Sequence, residues 1–351
     1  MSNRETNVSL TEPLGVWGAG RLLVQALAEQ KLCMAAVYDV ASQVVRPPAG
    51  SPPEYAVSLG TIPDSFYTAR KNLFSTLFYS TYLALNIPRP RRLLYGKLNH
   101  LFRIWVTAAD NLLDSEDKCV LPLDLPGHSR VMREVVAVMA ADRVLSRLLD
   151  EAVEAGTITR QQASEISDAS LRNLLPSAAQ EASEEGGIAA RPRPEYILET
   201  VHLLKTGLLF NIPFTGVDLV ERDIDPDRLG RIKRALLLFG NGCQVLDDIR
   251  DLARDFVEGR HNYVLSVLAH SRPDVLDDWS RRAIAAGDRL YFEVLAESLS
   301  AARLGYQRLT AACAALQEER VIVGGAPIAQ MACAMFIALD LEDLARACTF
   351  T

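Results

Sequence analysis

The chain has 351 residues, enough for one large core or two ordinary domains, and its 49% hydrophobic and 23% charged content is that of a globular protein. A formal net charge of −7 without a compensating basic stripe argues against a nucleic-acid binder. It leaves room for a phosphate-bearing ligand, because a bound divalent metal inverts the local sign.

The N-terminal "MSNRETNVSLTEP" has no basic segment ahead of an apolar core, and no run of about 18 apolar residues occurs. Neither a signal peptide nor a transmembrane segment is expected, and the cytoplasm is the default compartment. The six cysteines (33, 119, 243, 313, 333, 348) form no CxxC pair and read as free thiols in a reducing compartment. Residues 1–64 read as an N-terminal appendage, with a short helix at "GRLLVQALAEQKLCMAAVYDVAS" and a Pro-rich connector, "RPPAGSPPEY". "GVWGAGRLL" lacks the third glycine and the preceding strand of a dinucleotide loop, and reads as a turn and helix start.

From residue 65 to 351 the pattern is helical. "YTARKNLFSTLFYSTYLALNI" stops at Pro88, and "RRLLYGKLNHLFRIWVTAADNLLD" repeats apolar residues at three- and four-residue spacing. "SRVMREVVAVMAADRVLSRLLDEAVEAG" is amphipathic and ends at a glycine. The polar "PSAAQEASEEGGIAARPRPE" is the strongest loop candidate. Helical patterns resume in "YILETVHLLKTGLLFNI", "DPDRLGRIKRALLLFGNGCQVLDDIRDLARDF", "PDVLDDWSRRAIAAGDRLYFEVLAESLSAARLG", "YQRLTAACAALQEE" and "PIAQMACAMFIALDLEDLARAC". Alternating strands and fixed-period repeats are absent from the sequence. The reading is all-α, a single large helical bundle with an N-terminal appendage.

Two acidic clusters carry the chemistry. On a helix, Gln244, Asp248, Asp251 and Asp255 form one stripe with Asp247 at its edge, and Asp110, Asp114 and Asp117 share a second face. Like charges so spaced repel unless a cation compensates, and oxygen-rich clusters suit Mg²⁺, which binds through a few carboxylates plus substrate phosphates. Each cluster alone reads equally as a solvated helix end. Together, at the ends of two long apolar helices, they would rim a cavity for a hydrophobic substrate carrying a diphosphate.

At this point the motifs resemble a family. "QVLDDIRD" matches the Q-x-x-D-D-x-x-D of the second aspartate-rich motif of trans-polyprenyl diphosphate synthases, and "LLKTGLLF" upstream resembles their K-T-x-x-L-F segment. "DIRDLARDFVEGR" also resembles the R-D-x-x-x-D-x-x-x-G-R run of squalene and phytoene synthases. All belong to the class I isoprenoid synthase superfamily, an all-α bundle around an apolar active-site cavity. The resemblance runs in motif order over residues 95–265 and is concentrated in 196–263. It implies a prenyl diphosphate substrate and Mg²⁺, three ions with the bound diphosphate. The ligands would be Asp110, Asp114 and Asp117 from the first motif and Asp247, Asp248 and Asp251 from the second. Lys205, Arg254 and Arg260 would contact the diphosphate, and Gln244 would stand near the reacting carbons. Metal and cationic side chains would stabilise the departing diphosphate. A homodimer, common in that family, is a further implication.

Departures from the pattern shape the expected reaction. Chain-elongating members carry an N-terminal G-G-K-R-type segment and paired arginines after the first motif, which hold isopentenyl diphosphate. Here "KCVLPLDLPGHSR" follows, with Lys118 and then only Arg130, and the first motif is D-N-x-x-D. The N-x-x-x-S-x-x-x-E motif of ordinary terpene cyclases is missing too. The leading expectation is therefore an unusual terpene synthase that ionises one linear prenyl diphosphate (C15–C25) without elongating it. The nearest alternatives are head-to-head coupling, for which "SFYTARKNL" resembles a phytoene synthase segment, and true elongation with a basic site rebuilt from Arg70, Arg91, Arg92 or Arg133. From other classes come a di-iron oxidoreductase, through the E-x-x-H pairs Glu199/His202 and Glu258/His261, and a catalytically silent partner subunit.

Overall fold

The computed structural model describes residues 21–68, 70–113, 117–322 and 328–349. The "GVWGAG" turn and Asp114 therefore lie outside the described residues. Among the described residues helices make up nearly all of the regular structure, and the one sheet there is a two-stranded antiparallel ribbon, β1 (Ser58–Leu59) and β2 (Leu123–Asp124). Two compact units divide the chain, the first from Arg21–Asn173 with Ile212–Asp225, the second from Leu174–Asn211 with the described residues from Pro226 onward.

In the first unit, α1 (Arg21–Val44) packs on α2 (Leu73–Ala84) and α3 (Arg89–Leu113), and α4 (Arg130–Glu154) lies along α3. Helix α1 buries Ala26, Cys33, Met34, Val37 and Ala41, a stripe at helical spacing, so it is part of this core and not an appendage to it. Contact is closest at Gly96, where an added Cβ would stand 2.6 Å from both Cys33 Sγ and Tyr79 Cε2. Only glycine lets the three helices meet there. Ser129 caps α4, its Oγ accepting from the Met132 amide at 3.4 Å. Two buried tyrosines tie down the returning segment with α7 (Thr215–Val220). Tyr82 Oη donates to the Pro213 carbonyl at 2.6 Å, and Tyr95 Oη to Glu221 Oε1 at 2.8 Å.

Helix α5 (Arg160–Glu184) crosses from the first unit into the second. It runs through Pro176 and the first part of the stretch that composition marks as a loop, as far as Glu184. Its polar residues misled because several are buried and hydrogen-bonded: Ser177, Gln180 and Glu184 are all at or below 9% exposure. The short α6 (Pro194–Tyr196) continues as two π-helical stretches, Ile197–Val201 and Leu203–Gly207. Helix α8 (Pro226–Arg250) packs along α12 (Leu295–Glu318) more extensively than any other pair. Their backbones approach at Gly242 and Gly305, where added Cβ atoms would meet Leu309 Cγ at 2.9 Å and Leu246 Cδ2 at 2.8 Å. The remaining helices are α9 (Leu252–Glu258), α10 (Tyr263–Ser271), α11 (Pro273–Arg281), α13 (Ile328–Ala338) and α14 (Glu342–Thr349). The long pattern from Pro273 is thus two helices, parted by a turn in which Asp288 accepts from the Ala285 amide at 2.9 Å. No single described helix is long and apolar enough to cross a membrane.

Candidate functional site

Three pieces of the second unit build the site: the end of α8 with α9, the π-helical stretches, and the C-terminal turns of α5. Helix α8 ends at Arg250, and Asp251 takes φ −92°, ψ 12° before α9 begins. The aspartate stripe is therefore stepped at Asp251 rather than continuous. π-Helical geometry costs hydrogen-bond quality and concentrates at functional sites. Here it sets Thr206 against α8, where its hydroxyl donates to Gln244 Oε1.

Asp248 is the centre of the network, at 3% exposure. Gln244 Nε2 donates to its Oδ1 at 3.0 Å, while His202 Nε2 and the Tyr263 amide donate to its Oδ2 at 2.9 and 2.6 Å. Asn262 Nδ2 reaches the Asp248 carbonyl at 2.6 Å and Asp255 Oδ2 at 2.8 Å, and its Oδ1 caps α10 by accepting from Leu265 at 3.1 Å. Burial pushes the Asp255 carboxyl well above the ordinary range, and Asp248 adds to this while Asn262 pulls it back.

Asp247 and Asp251 face arginines. Arg250 lies 2.7 Å from Asp247 and grips Asp251 with two bonds of 2.9 Å, and Arg254 donates to Asp251 at 2.6 Å. A third of the Asp247 side chain still reaches solvent, yet desolvation pushes its carboxyl up to about 6. Arg250 works against that rise, and Asp251 and Asp248 add to it.

Lys205 Nζ donates to Glu184 Oε2 at 3.0 Å and stands 3.7 Å from Glu181. Burial pulls its ammonium down, but the two glutamates outweigh that and its pKa ends above the ordinary lysine value. Arg260 lies 3.4 Å from both Glu181 and Glu258.

The first-motif residues belong to the first unit. Asp110 is half-buried in the last turn of α3. Asp117 is exposed and accepts from Arg133, which also pairs with Glu134 at 2.9 Å. Between them, buried Asn111 closes the loop, donating to the Lys118 carbonyl at 2.9 Å and accepting from the Lys118 amide at 3.0 Å. Nearby, the half-buried Arg103 donates to Asn72 Oδ1 at 2.6 Å, and no carboxylate pairs with it among the described residues. Desolvation pulls its guanidinium below the ordinary value.

The structure thus brings Lys205, Gln244, Asp247, Asp248, Asp251, Arg254 and Arg260 into one connected region of the second unit. Sequence reading missed Asn262, Glu181 and Glu184, as well as Arg103 in the first unit, and it gave His202 and Thr206 no partner. Thr206 belongs to the K-T segment, and His202 stands three positions before its lysine. That histidine was weighed there for iron, but its Nε2 serves Asp248. Glu258 pairs with Arg260, and no three His, Cys, Asp or Glu side chains converge as a metal group among the described residues.

Mg²⁺ asks less, since one or two carboxylates plus substrate phosphates suffice. Asp247 fits it best: it is an oxygen donor that still reaches solvent, Arg250 meets its Oδ1, and the repulsion it feels from Asp251 and Asp248 is what a dication relieves, whereas both oxygens of Asp251 are already held by Arg250 and Arg254. Asp248 fits poorly, because both its oxygens are engaged by protein donors.

No protein-family model matches the chain, and no curated protein matches it. Solved structures do. A decaprenyl diphosphate synthase from Rhodobacter capsulatus is 16% identical with a TM-score of 0.54, over 93% of this chain and 97% of that one. A heptaprenyl diphosphate synthase from Staphylococcus aureus is 12% identical with a TM-score of 0.55, over 90% and 98%. An octaprenyl pyrophosphate synthase from Helicobacter pylori is 16% identical with a TM-score of 0.53, over 92% and 98%. At such identities the likeness is one of fold: the chain has the all-α fold of the isoprenoid synthase superfamily.

Proposed function

We propose that the chain is a prenyltransferase that ionises an allylic prenyl diphosphate and joins its carbon chain to a second diphosphate-bearing substrate. The observation that carries this reading beyond the fold is Arg103. A desolvated guanidinium without a counter-charge is costly unless an anion arrives to meet it. Three of the four arginines considered from the sequence for a second anion site are committed elsewhere: Arg92 to Glu29 at 2.7 Å, Arg91 to Glu221 at 2.8 Å, and Arg133 to Asp117 and Glu134; the side chain of the fourth, Arg70, lies outside the described residues. Arg103 is the cation that a second diphosphate would satisfy. The long-chain prenyl diphosphate synthases that share the fold support a prenyl diphosphate product.

Asp247, rather than the engaged Asp248 and Asp251, would hold Mg²⁺ on the second-motif side, with Asp110 on the first. The metal would supply positive charge to the departing diphosphate oxygens. Lys205 and Arg254 would add fixed positive charge where negative charge develops as the carbon–oxygen bond breaks. Thr206 and Asp248 hold the Gln244 amide in one orientation, so it meets the reacting carbons without reorganising.

One observation favours a second reading, the expected terpene synthase. The paired arginines that would grip isopentenyl diphosphate are missing after the first motif, and Arg133, which pairs with Asp117 of that motif, is also paired with Glu134. The deciding experiment offers C10, C15, C20 and C25 prenyl diphosphates singly with Mg²⁺, with and without isopentenyl diphosphate. A longer diphosphate formed only with isopentenyl diphosphate supports the prenyltransferase. Hydrocarbon or alcohol from one substrate replaces it with the terpene synthase. No diphosphate release under any condition removes both and leaves the silent partner subunit.

A further inference from the structure

Glu184 ends α5 with 1% of its surface exposed, inside a stretch whose composition reads as loop. A carboxylate buried this far is costly unless donors fill its lone pairs. Three donors from separate elements do so. Gln180 Nε2 donates to its Oε1 at 2.9 Å, and its Oε2 accepts from both Lys205 Nζ at 3.0 Å and the His261 backbone amide at 2.8 Å.

Two of those donors belong to parts that the proposed chemistry uses. Lys205 is carried by the π-helical stretch, and His261 follows Arg260 in the turn after α9. The same turn is held to the segment after α5 by the backbone. The Ile188 amide donates to the Gly259 carbonyl at 2.8 Å, and Arg191 Nη1 donates to the Arg260 carbonyl at 2.8 Å. An added Cβ on Gly259, whose φ is +67°, would stand 3.2 Å from Gly187 Cα, so the two backbones are in contact.

We propose that Glu184 is a positioning residue for diphosphate binding, fixing the Lys205 ammonium and the 259–261 turn at a set separation so that Lys205 and Arg260 present a pre-formed anion cradle. This rests on the reading of the chain as an enzyme of prenyl diphosphates. Lysine has three donors, and Glu184 fills one within hydrogen-bond distance. The other charged groups facing Lys205 are Glu181 on α5, Asp255 on α9 and His261. Glu181 also reaches both sides, 3.7 Å from Lys205 and 3.4 Å from the Arg260 side chain, but Glu184 makes the shorter bonds, to the lysine at 3.0 Å and to the backbone of the turn at 2.8 Å. Pre-organisation of this kind lowers the ordering cost that a bound anion would otherwise meet.

The test uses Glu184→Gln, which keeps the size and removes the charge, and Glu184→Asp, which keeps the charge and withdraws it by one carbon. Circular dichroism and melting temperature report whether each variant folds. Amide hydrogen exchange reads residues 203–208 and 259–263 in the full chain, and titration calorimetry reads inorganic diphosphate in the presence of Mg²⁺. For Glu184→Gln, exchange speeds up in both segments, by about tenfold, and diphosphate binds about tenfold more weakly, the loss expected for one charged hydrogen bond. Glu184→Asp gives the same two effects at about threefold, and it stands in if the glutamine variant does not fold. Faster exchange in one segment or in neither overturns the proposal. So does diphosphate binding as tight as, or tighter than, that of the unaltered chain, which would mean that Glu184 competes for Lys205. If the unaltered chain binds no diphosphate, the prenyl diphosphate reading fails and the role in presenting an anion cradle is overturned with it, while exchange still reports whether Glu184 couples the two segments.

Discussion

The two aspartate clusters look alike in sequence and are built in opposite ways. Around Asp248 in the second unit, carboxylates are buried and answered by donors from α8, the π-helical stretches and the turn after α9. At the end of α3 in the first unit, Asp117 is 69% exposed and held by one arginine, and the loop is closed by the Asn111 amide instead of by charge. The difference teaches that an acidic repeat reports where negative charge accumulates, not whether the protein has already spent it. In a buried network each carboxylate is part of the packing. At a surface loop it is available to a ligand and adds little to stability.

The largest effect that could break this contrast is on Asp248. Asp248→Ala strands three donors in a dry interior and should cost about 3–5 kcal/mol in denaturant unfolding, the range for breaking a buried charged partner. A loss below about 1 kcal/mol would mean that the network is not part of the packing. Next, Arg103→Met should change the melting temperature little, since it removes a desolvated cation that no carboxylate faces among the described residues but gives up its hydrogen bond to Asn72. It should also raise KM for the second diphosphate substrate by about 10–100-fold, the loss of one or two charged hydrogen bonds. Steady-state kinetics with each substrate varied in turn checks this, and an effect confined to kcat would put Arg103 outside the binding of that substrate.

A smaller effect concerns pH. Hydrogen bonding from Arg92, opposed by burial and helped by Tyr79, lowers the Glu29 carboxyl to about 2 from an ordinary 4.5. The unfolded chain then binds the proton first as pH falls. This contribution is complete above about pH 4.5 and lost as pH falls toward 2. After allowance for solvent screening it amounts to about 1–2 kcal/mol. Glu29→Gln should flatten the stability of the first unit across that window, as urea melts at stepped pH would show; an unchanged slope would refute it. The smallest effect, and the sharpest control, is Asp117→Ala, which should shift stability by less than about 0.5 kcal/mol. A loss like that of Asp248→Ala would erase the contrast between the clusters.

Much of the fold was legible before any coordinates. Apolar spacing marks α1, α3, α4 and α8 within a few residues of their ends, because a face that packs must repeat at the helical period. The Q-x-x-D-D-x-x-D and K-T segments marked the parts of the site that converge in the second unit. Less legible was the C-terminal part of α5, since a polar residue buried for a hydrogen bond looks the same in sequence as one left in water. The step at Asp251 and the π-helical register of 197–207 were hidden as well, because spacing arguments assume an unbroken 3.6-residue repeat.

Composition and periodicity sufficed to specify an all-α chain, its main helices and the residues where negative charge gathers, since these depend on local propensity and on which face must leave water. Partnership needed the tertiary structure. Asp248 is spoken for by His202, Lys205 is held by Glu184, and Arg103 has no carboxylate facing it among the described residues. Those assignments join residues 46 and 21 positions apart in the first two cases. Whether a charge is neutralised, buried or left for a ligand depends on distances that only the packed chain sets.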